Sequence, residues 1–128
     1  NAIEQLKFLD DLPNLIELEL MSNKIKFIEM IYFRFLFKLQ TIRFASNNLD
    51  LIKTETFKNT KSLINLYLND EKISFLNKEM FIGLENLNYL NLELNNLKKI
   101  EDDTFTYLKN LTVLILSNNQ INSIGSIG

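Results

Sequence analysis

Asp70, Glu71 and Glu93 are carboxylates that, if gathered at one place, would offer hard oxygen ligands to a cation such as Ca²⁺. A second acidic run, Glu101-Asp102-Asp103, follows Lys98-Lys99; it contains a carboxylate pair of the kind used in general acid–base chemistry, and it equally makes a solvated turn. Beyond these groups the chemical inventory is thin. Histidine and cysteine are both absent, which removes imidazole bases, thiolate nucleophiles, disulfides and the usual zinc ligands together. The closing SIGSIG has neither the G-x-S-x-G order nor the strand-to-helix context of a hydrolase elbow. No glycine-rich loop is available to cradle phosphate. These residues point away from an enzyme, and no cofactor and no resident metal is expected; an acidic site at Asp70, Glu71 and Glu93 is the alternative. Asn110-Leu111-Thr112 is an acceptor tripeptide for N-glycosylation.

The elements that position these groups must be few and short. At 128 residues the chain has room for one domain, and 46% apolar with 23% charged residues is ordinary for a folded one. The net charge of −2 gives no basic footprint for nucleic acid. No run reaches the roughly 18 apolar residues of a membrane span, the longest apolar cluster (30–37) being interrupted by Arg34. With three glycines and one proline, turns fall to asparagine, whose side chain bonds its own backbone and tolerates bent conformations. The chain starts with Asn rather than Met, which suggests a fragment or a processed product.

The stretch LENLNYLNLELNNL (84–97) shows the underlying order. Its leucines recur at gaps of three, three, two, two, and three again at Leu97, which suits neither a helix nor a continuous strand. Sliding the sequence by 24 residues brings it into register with itself, giving units 12–35, 36–59, 60–83 and 84–107, a truncated unit 108–128, and a partial unit 1–11. The columns are Leu15, Leu39, Leu63, Leu87 and Leu111; the pairs Leu18/Leu20, Ile42/Phe44, Leu66/Leu68, Leu90/Leu92 and Leu114/Leu116; then Asn23, Asn47, Glu71, Asn95 and Asn119. Behind them stand Ile25, Leu49, Ile73, Leu97 and Ile121, then Ile28, Ile52, Leu76, Ile100 and Ile124, and finally Phe33, Phe57, Phe81 and Phe105. In the partial first unit, Asn1 and Ile3 fill the Asn and post-Asn positions, with Leu6 and Leu9 behind them.

This pattern, LxxLxxLxLxxNxIxxI…F, resembles the leucine-rich repeat family over essentially the whole chain. The 24-residue period with a late Phe is similar to the typical subclass of animal extracellular proteins; the GxIP of the plant subclass is missing. The IEDDTF turn and the Ile/Lys/Asn/Phe bias are similar to insect leucine-rich immune and Toll-like arrays. The resemblance implies a β-rich, α/β-type solenoid, curved, with parallel strands on its concave face and short turns or irregular segments on its convex face. It also implies an extracellular or cell-surface role in immunity, reception or adhesion, with a protein partner and room for homo- or hetero-oligomers. An intracellular scaffold of the same fold is the alternative. Both ends break mid-unit, so a longer array is expected.

Physical reasoning gives each column a task. The two leucines of xLxLx point inward from a short strand, and their neighbours face solvent. A single coil cannot bury its flat faces, so stability must come from stacking. An Asn amide carries donors and an acceptor, and can satisfy the backbone groups that a tight bend leaves facing inward. Glu71 breaks that column and Thr60 replaces a leucine in the same unit, so Glu71 is expected to turn outward with a remodelled loop. The outward strand positions are then the candidate partner-binding residues. A central row of Glu19, Arg43, Tyr67, Asn91 and Ile115 is flanked by Tyr89 and Val113, and Tyr67, Tyr89, Val113 and Ile115 make an exposed apolar patch.

Overall fold

The computed structural model describes residues 6–21, 24–45 and 48–124, so Asn1, Ile3, Asn23 and Asn47 lie outside the described residues. Five short parallel strands, one per coil, form a single sheet: β1 (Glu17–Leu20), β3 (Thr41–Phe44), β5 (Asn65–Tyr67), β6 (Tyr89–Asn91) and β8 (Val113–Ile115). Register is the one the 24-residue period dictates, with Leu18 beside Ile42, Ile42 beside Leu66, Leu66 beside Leu90 and Leu90 beside Leu114. The second inward column adds two ribbons, β2 (Phe27–Ile28) with β4 (Leu51–Ile52) and β7 (Lys99–Ile100) with β9 (Ser123–Ile124), also parallel. The remaining connections are turns and short 3₁₀ segments at Lys7–Asp11, Met30–Tyr32 and Lys78–Phe81. Among the described residues no helix is long and apolar enough to cross a membrane.

The core is the stacked columns. Leu39, Leu63, Leu87, Ile42, Leu66, Leu90, Leu49, Ile73 and Leu97 are fully buried, as are Ile28 and the aromatics Phe57 and Phe81. Burial of each such side chain contributes about 1.5–3 kcal/mol relative to exposure. Leu6 and Leu9 are buried too, in the same hydrophobic cluster. The end coils depart from the pattern. Leu15, Leu111, Leu114, Leu116 and Ile121 are only partly buried, and Ile124, expected inside, is 57% exposed. No further coil covers them among the described residues, and a recess of about 410 Å³ opens beside Phe105, Leu108, Leu111 and Leu114.

The phenylalanine column sets the curvature. Phe33 stacks on Phe57 with ring centroids 5.9 Å apart, and Phe81 meets Phe105 at 5.8 Å with the rings inclined at 40°. Strands pair at about 4.8 Å, so the aromatic side of each coil is wider than its strand side and the strands take the inner face of the arch.

Asparagine stitches the coils together. Asn95, buried, accepts from the Ile73 N–H of the preceding coil (3.0 Å) and donates to Leu68 O (2.9 Å) and Leu92 O (3.0 Å). Asn119 repeats this, accepting from Leu97 N–H and donating to Leu92 O and Leu116 O. Glu71 does not turn outward as expected. It is buried in the same column, and its Oε1 accepts from Leu49 N–H at 3.0 Å. A carboxylate supplies the acceptor half of the Asn function, which suffices to hold the column position. Thr60 is likewise absorbed into the core, its hydroxyl donating to Phe57 O at 3.0 Å.

Candidate functional site

Strand register fixes which outward side chains meet. Glu19, Arg43, Tyr67, Asn91 and Ile115 pair successively across the sheet, as do Glu17, Thr41, Asn65, Tyr89 and Val113. Contacts then run diagonally between the two rows. Arg43 Nη1 donates to Glu17 Oε1 at 2.9 Å, and the Arg43 guanidinium lies over the Tyr67 ring, 4.5 Å from its centroid. Tyr67 and Tyr89 follow, with centroids 4.9 Å apart and planes inclined at 39°. Asn91 Nδ2 donates to the Tyr89 hydroxyl at 3.2 Å, and Asn91 Oδ1 accepts from Glu93 N–H at 2.9 Å. One chain of contacts thus spans four coils.

Its electrostatics are those of a wet surface. The Arg43 pKa is raised, first by the hydrogen bond to Glu17, with burial opposing and Tyr67 adding a smaller push. Both partners are well exposed, 42% for the Arg43 side chain and 66% for Glu17, so the pair orients the guanidinium over Tyr67 more than it stabilises the fold.

Of the candidate binding residues, Glu19 and Val113 are exposed, and Arg43, Tyr67, Tyr89 and Ile115 are half-buried with one face to solvent. Asn91 is corrected. It occupies the outward position but is buried, 7% exposed, because its amide is folded beneath the Tyr89 hydroxyl and onto the backbone of Glu93. It supports Tyr89 from below and offers little surface.

Two further residues shape this face. Glu17, an outward strand position by the spacing, carries the link to Arg43, and Leu94, which the spacing did not single out, sits at the bend after β6 with φ +58°. The matching bend residues are Asp70 (φ +59°) and Asn118 (φ +58°), types whose short polar side chains tolerate the left-handed region. In a bulkier residue that conformation costs about 1–2 kcal/mol. Leu94 is nonetheless 48% exposed, with its N–H donating to Ser117 O of the next coil. A leucine at a position held in the other units by Ser22, Ser46, Asp70 and Asn118 is the sequence signal that could have found it.

The acidic groups do not assemble. Glu71 is buried in the Asn column, Asp70 is exposed, and Glu93 Oε2 accepts from the Asn118 amide at 3.2 Å. Among the described residues no group of three acidic side chains is placed to hold a metal ion. Glu101 and Asp103 are exposed and bridge to Lys99 (3.3 Å) and Lys78 (3.2 Å), the partnership of a solvated turn. The Lys78 pKa is raised, first by its hydrogen bond to Asp103. Asn110 is exposed beside the sheet, its amide donating to Glu85 O at 2.7 Å. One N–H of the two survives when an Asn amide is glycosylated, so that bond and a glycan are compatible.

A stacked array of 24-residue coils, with an Asn ladder, an aromatic back and a half-exposed strand face, defines a repeat protein whose outward strand positions are free to vary. The leucine-rich repeat profile matches residues 37–97 and 86–127, and the chain belongs to that family. No curated protein matches it significantly in sequence. Among solved structures it is similar to a chain of the TLR13–ssRNA13 complex, at 25% identity and TM-score 0.66, over 94% of this chain and 22% of that one. It is also similar to a chain of the Toll–Spatzle complex of Drosophila development and innate immunity, at 23% identity and TM-score 0.62, over 91% of this chain and 19% of that one. The chain therefore spans about a fifth of the length of the structures it matches.

Proposed function

We propose that the chain is a non-enzymatic recognition module that holds a protein partner on its strand face, within an extracellular or cell-surface immune, receptor or adhesion protein. The observation that carries this reading is the Arg43–Tyr67–Tyr89 stack, half-exposed across three coils and continuous with Val113 and Ile115. Tyrosine and arginine are the residues most enriched at binding hot spots, and here they are held in place before any partner arrives. The similarity to the TLR13 and Toll chains supports an immune-receptor setting. The partners in those complexes are RNA and Spatzle respectively, so both classes enter the test. Stacked tyrosines would also suit single-stranded bases. Glu17, Glu19 and Glu93 on the same face disfavour phosphates, and a protein partner fits the charge better.

The test uses the chain immobilised against secreted material from its own source. Captured protein is identified, and its affinity is measured for the parent and for Tyr67→Ala with Tyr89→Ala. About tenfold or greater weakening with nearly unchanged melting temperature is expected. A sharp fall in melting temperature would make the tyrosines structural and remove the basis of the reading. Preferential retention of labelled single-stranded RNA would replace it with the nucleic-acid one.

A further inference from the structure

We infer that the partner meets this face as an extended polypeptide segment, basic at the end over the first coil and aliphatic at the end over the last two. The inference rests on the strand-face reading above and specifies its ligand. Three observations carry it.

The first is charge. Glu17 and Glu19 are exposed on β1, and the one cation of the central row, Arg43, is turned onto Glu17 and stacked on Tyr67. That end of the face therefore presents a carboxylate excess, to which lysine or arginine side chains of a ligand are complementary. The second is polarity at the opposite end. Val113 is 40% exposed, Ile115 half-buried, and Leu94 lies at the adjoining bend, 48% exposed. The third is the backbone of Leu94. Its φ of +58° is one that Asp70 and Asn118 adopt readily and leucine does not, so folding alone would favour a polar residue there. Strain kept at an exposed apolar side chain, on a bend bonded to the coil that carries Val113 and Ile115, points to a contact.

Between the two ends lie the two tyrosine rings, inclined to each other at 39°, whose half-exposed faces and edges can pack against an extended chain. From β1 to β8 there are four inter-strand steps of about 4.8 Å, or roughly 19 Å, which an extended segment covers in about six residues at ~3.3 Å each.

A phage-displayed library of random linear peptides about eight residues long, selected on the immobilised chain, tests this. Enriched sequences should carry Lys or Arg at one end and Leu, Ile, Val or Phe at the other. Reselection on Glu19→Lys should shift the basic end to Asp or Glu. Leu94→Asn should weaken the peptides selected on the parent about tenfold while raising the melting temperature, because it removes strain and contact together. Peptides that depend on Tyr67 but show no bipolar pattern would overturn this inference and leave the strand-face reading standing. No enrichment dependent on Tyr67 would overturn this inference, and the strand-face reading would then be decided by the captured partner and its affinity for the Tyr67→Ala, Tyr89→Ala variant. Leu94→Asn with unchanged peptide affinity, or with a lowered melting temperature, would remove Leu94 from the site and sink the aliphatic end of the proposal.

Discussion

Replacing Asn95 with alanine isolates the asparagine ladder from hydrophobic stacking. The Asn95 side chain satisfies the Ile73 N–H at 3.0 Å, Leu68 O at 2.9 Å and Leu92 O at 3.0 Å, and it is 3% exposed, so water cannot substitute without entering the core. A buried donor or acceptor left unsatisfied costs about 1–3 kcal/mol, and the N–H is the more demanding group because each carbonyl keeps a second lone pair. One orphaned N–H and two weakened carbonyls give a loss of about 2–5 kcal/mol, a large part of the 5–15 kcal/mol typical of a domain. With a urea slope of about 1–3 kcal/mol per molar, the unfolding midpoint should fall by at least about 0.7 M. Asn95→Asp separates acceptor from donor. It keeps the bond from Ile73 N–H, turns an oxygen toward the carbonyls at neutral pH, and should lose less than Asn95→Ala. Amide exchange at Ile73 should accelerate in the alanine variant more than exchange at Ile42, whose coil does not contact Asn95. A midpoint for Asn95→Ala within about 0.3 M of the parent would refute the argument and assign coil cohesion to apolar stacking alone.

Three further outcomes are expected. Glu71→Ala should cost about 1–3 kcal/mol by orphaning the Leu49 N–H, whereas Glu71→Gln should hold or raise the urea midpoint; a marked loss with Gln would mean that the column needs the charge itself. Gly83→Ala should be strongly destabilising by thermal melting, since Gly83 has φ +97° and an added Cβ would meet Phe57 O at 2.5 Å and Lys58 backbone atoms at 2.7 Å; a tolerated alanine would show that this coil can shift. Expression through a secretory pathway should modify Asn110, read as a mass increment lost in Thr112→Ala, with the melting temperature little changed; an unmodified secreted chain would remove that site.

The repeat period made the backbone legible and the side chains only partly so. A 24-residue register with inward pairs such as Leu66/Leu68 can place every strand of the five-stranded sheet, because one residue of slip would expose the whole core face, and the observed pairing follows it residue by residue. Outward positions carry no such constraint. Asn91 and Tyr67 occupy equivalent strand positions, yet Asn91 is buried, because its amide finds Tyr89 Oη and Glu93 N–H nearby. The Glu17–Arg43 contact crosses between rows, which a column alignment does not display. Glu71 differs from its expectation for a related reason. A carboxylate cannot donate as Asn does, but its column position places an acceptor within reach of Leu49 N–H, and that backbone donor decides the matter. The small ribbons at Phe27–Ile28 with Leu51–Ile52 and at Lys99–Ile100 with Ser123–Ile124 are too short to leave an alternation in the sequence.

The paired rings of Phe33 with Phe57 and of Phe81 with Phe105 act as the thick ends of voussoirs, and they separate what is varied from what it controls. Thinning one wedge, as in Phe57→Leu, would flatten the vault and lengthen the chord from Glu19 to Val113 without altering either residue. The span of the strand face can therefore be set at the spine of this molecule, by side chains buried on the opposite side of each coil.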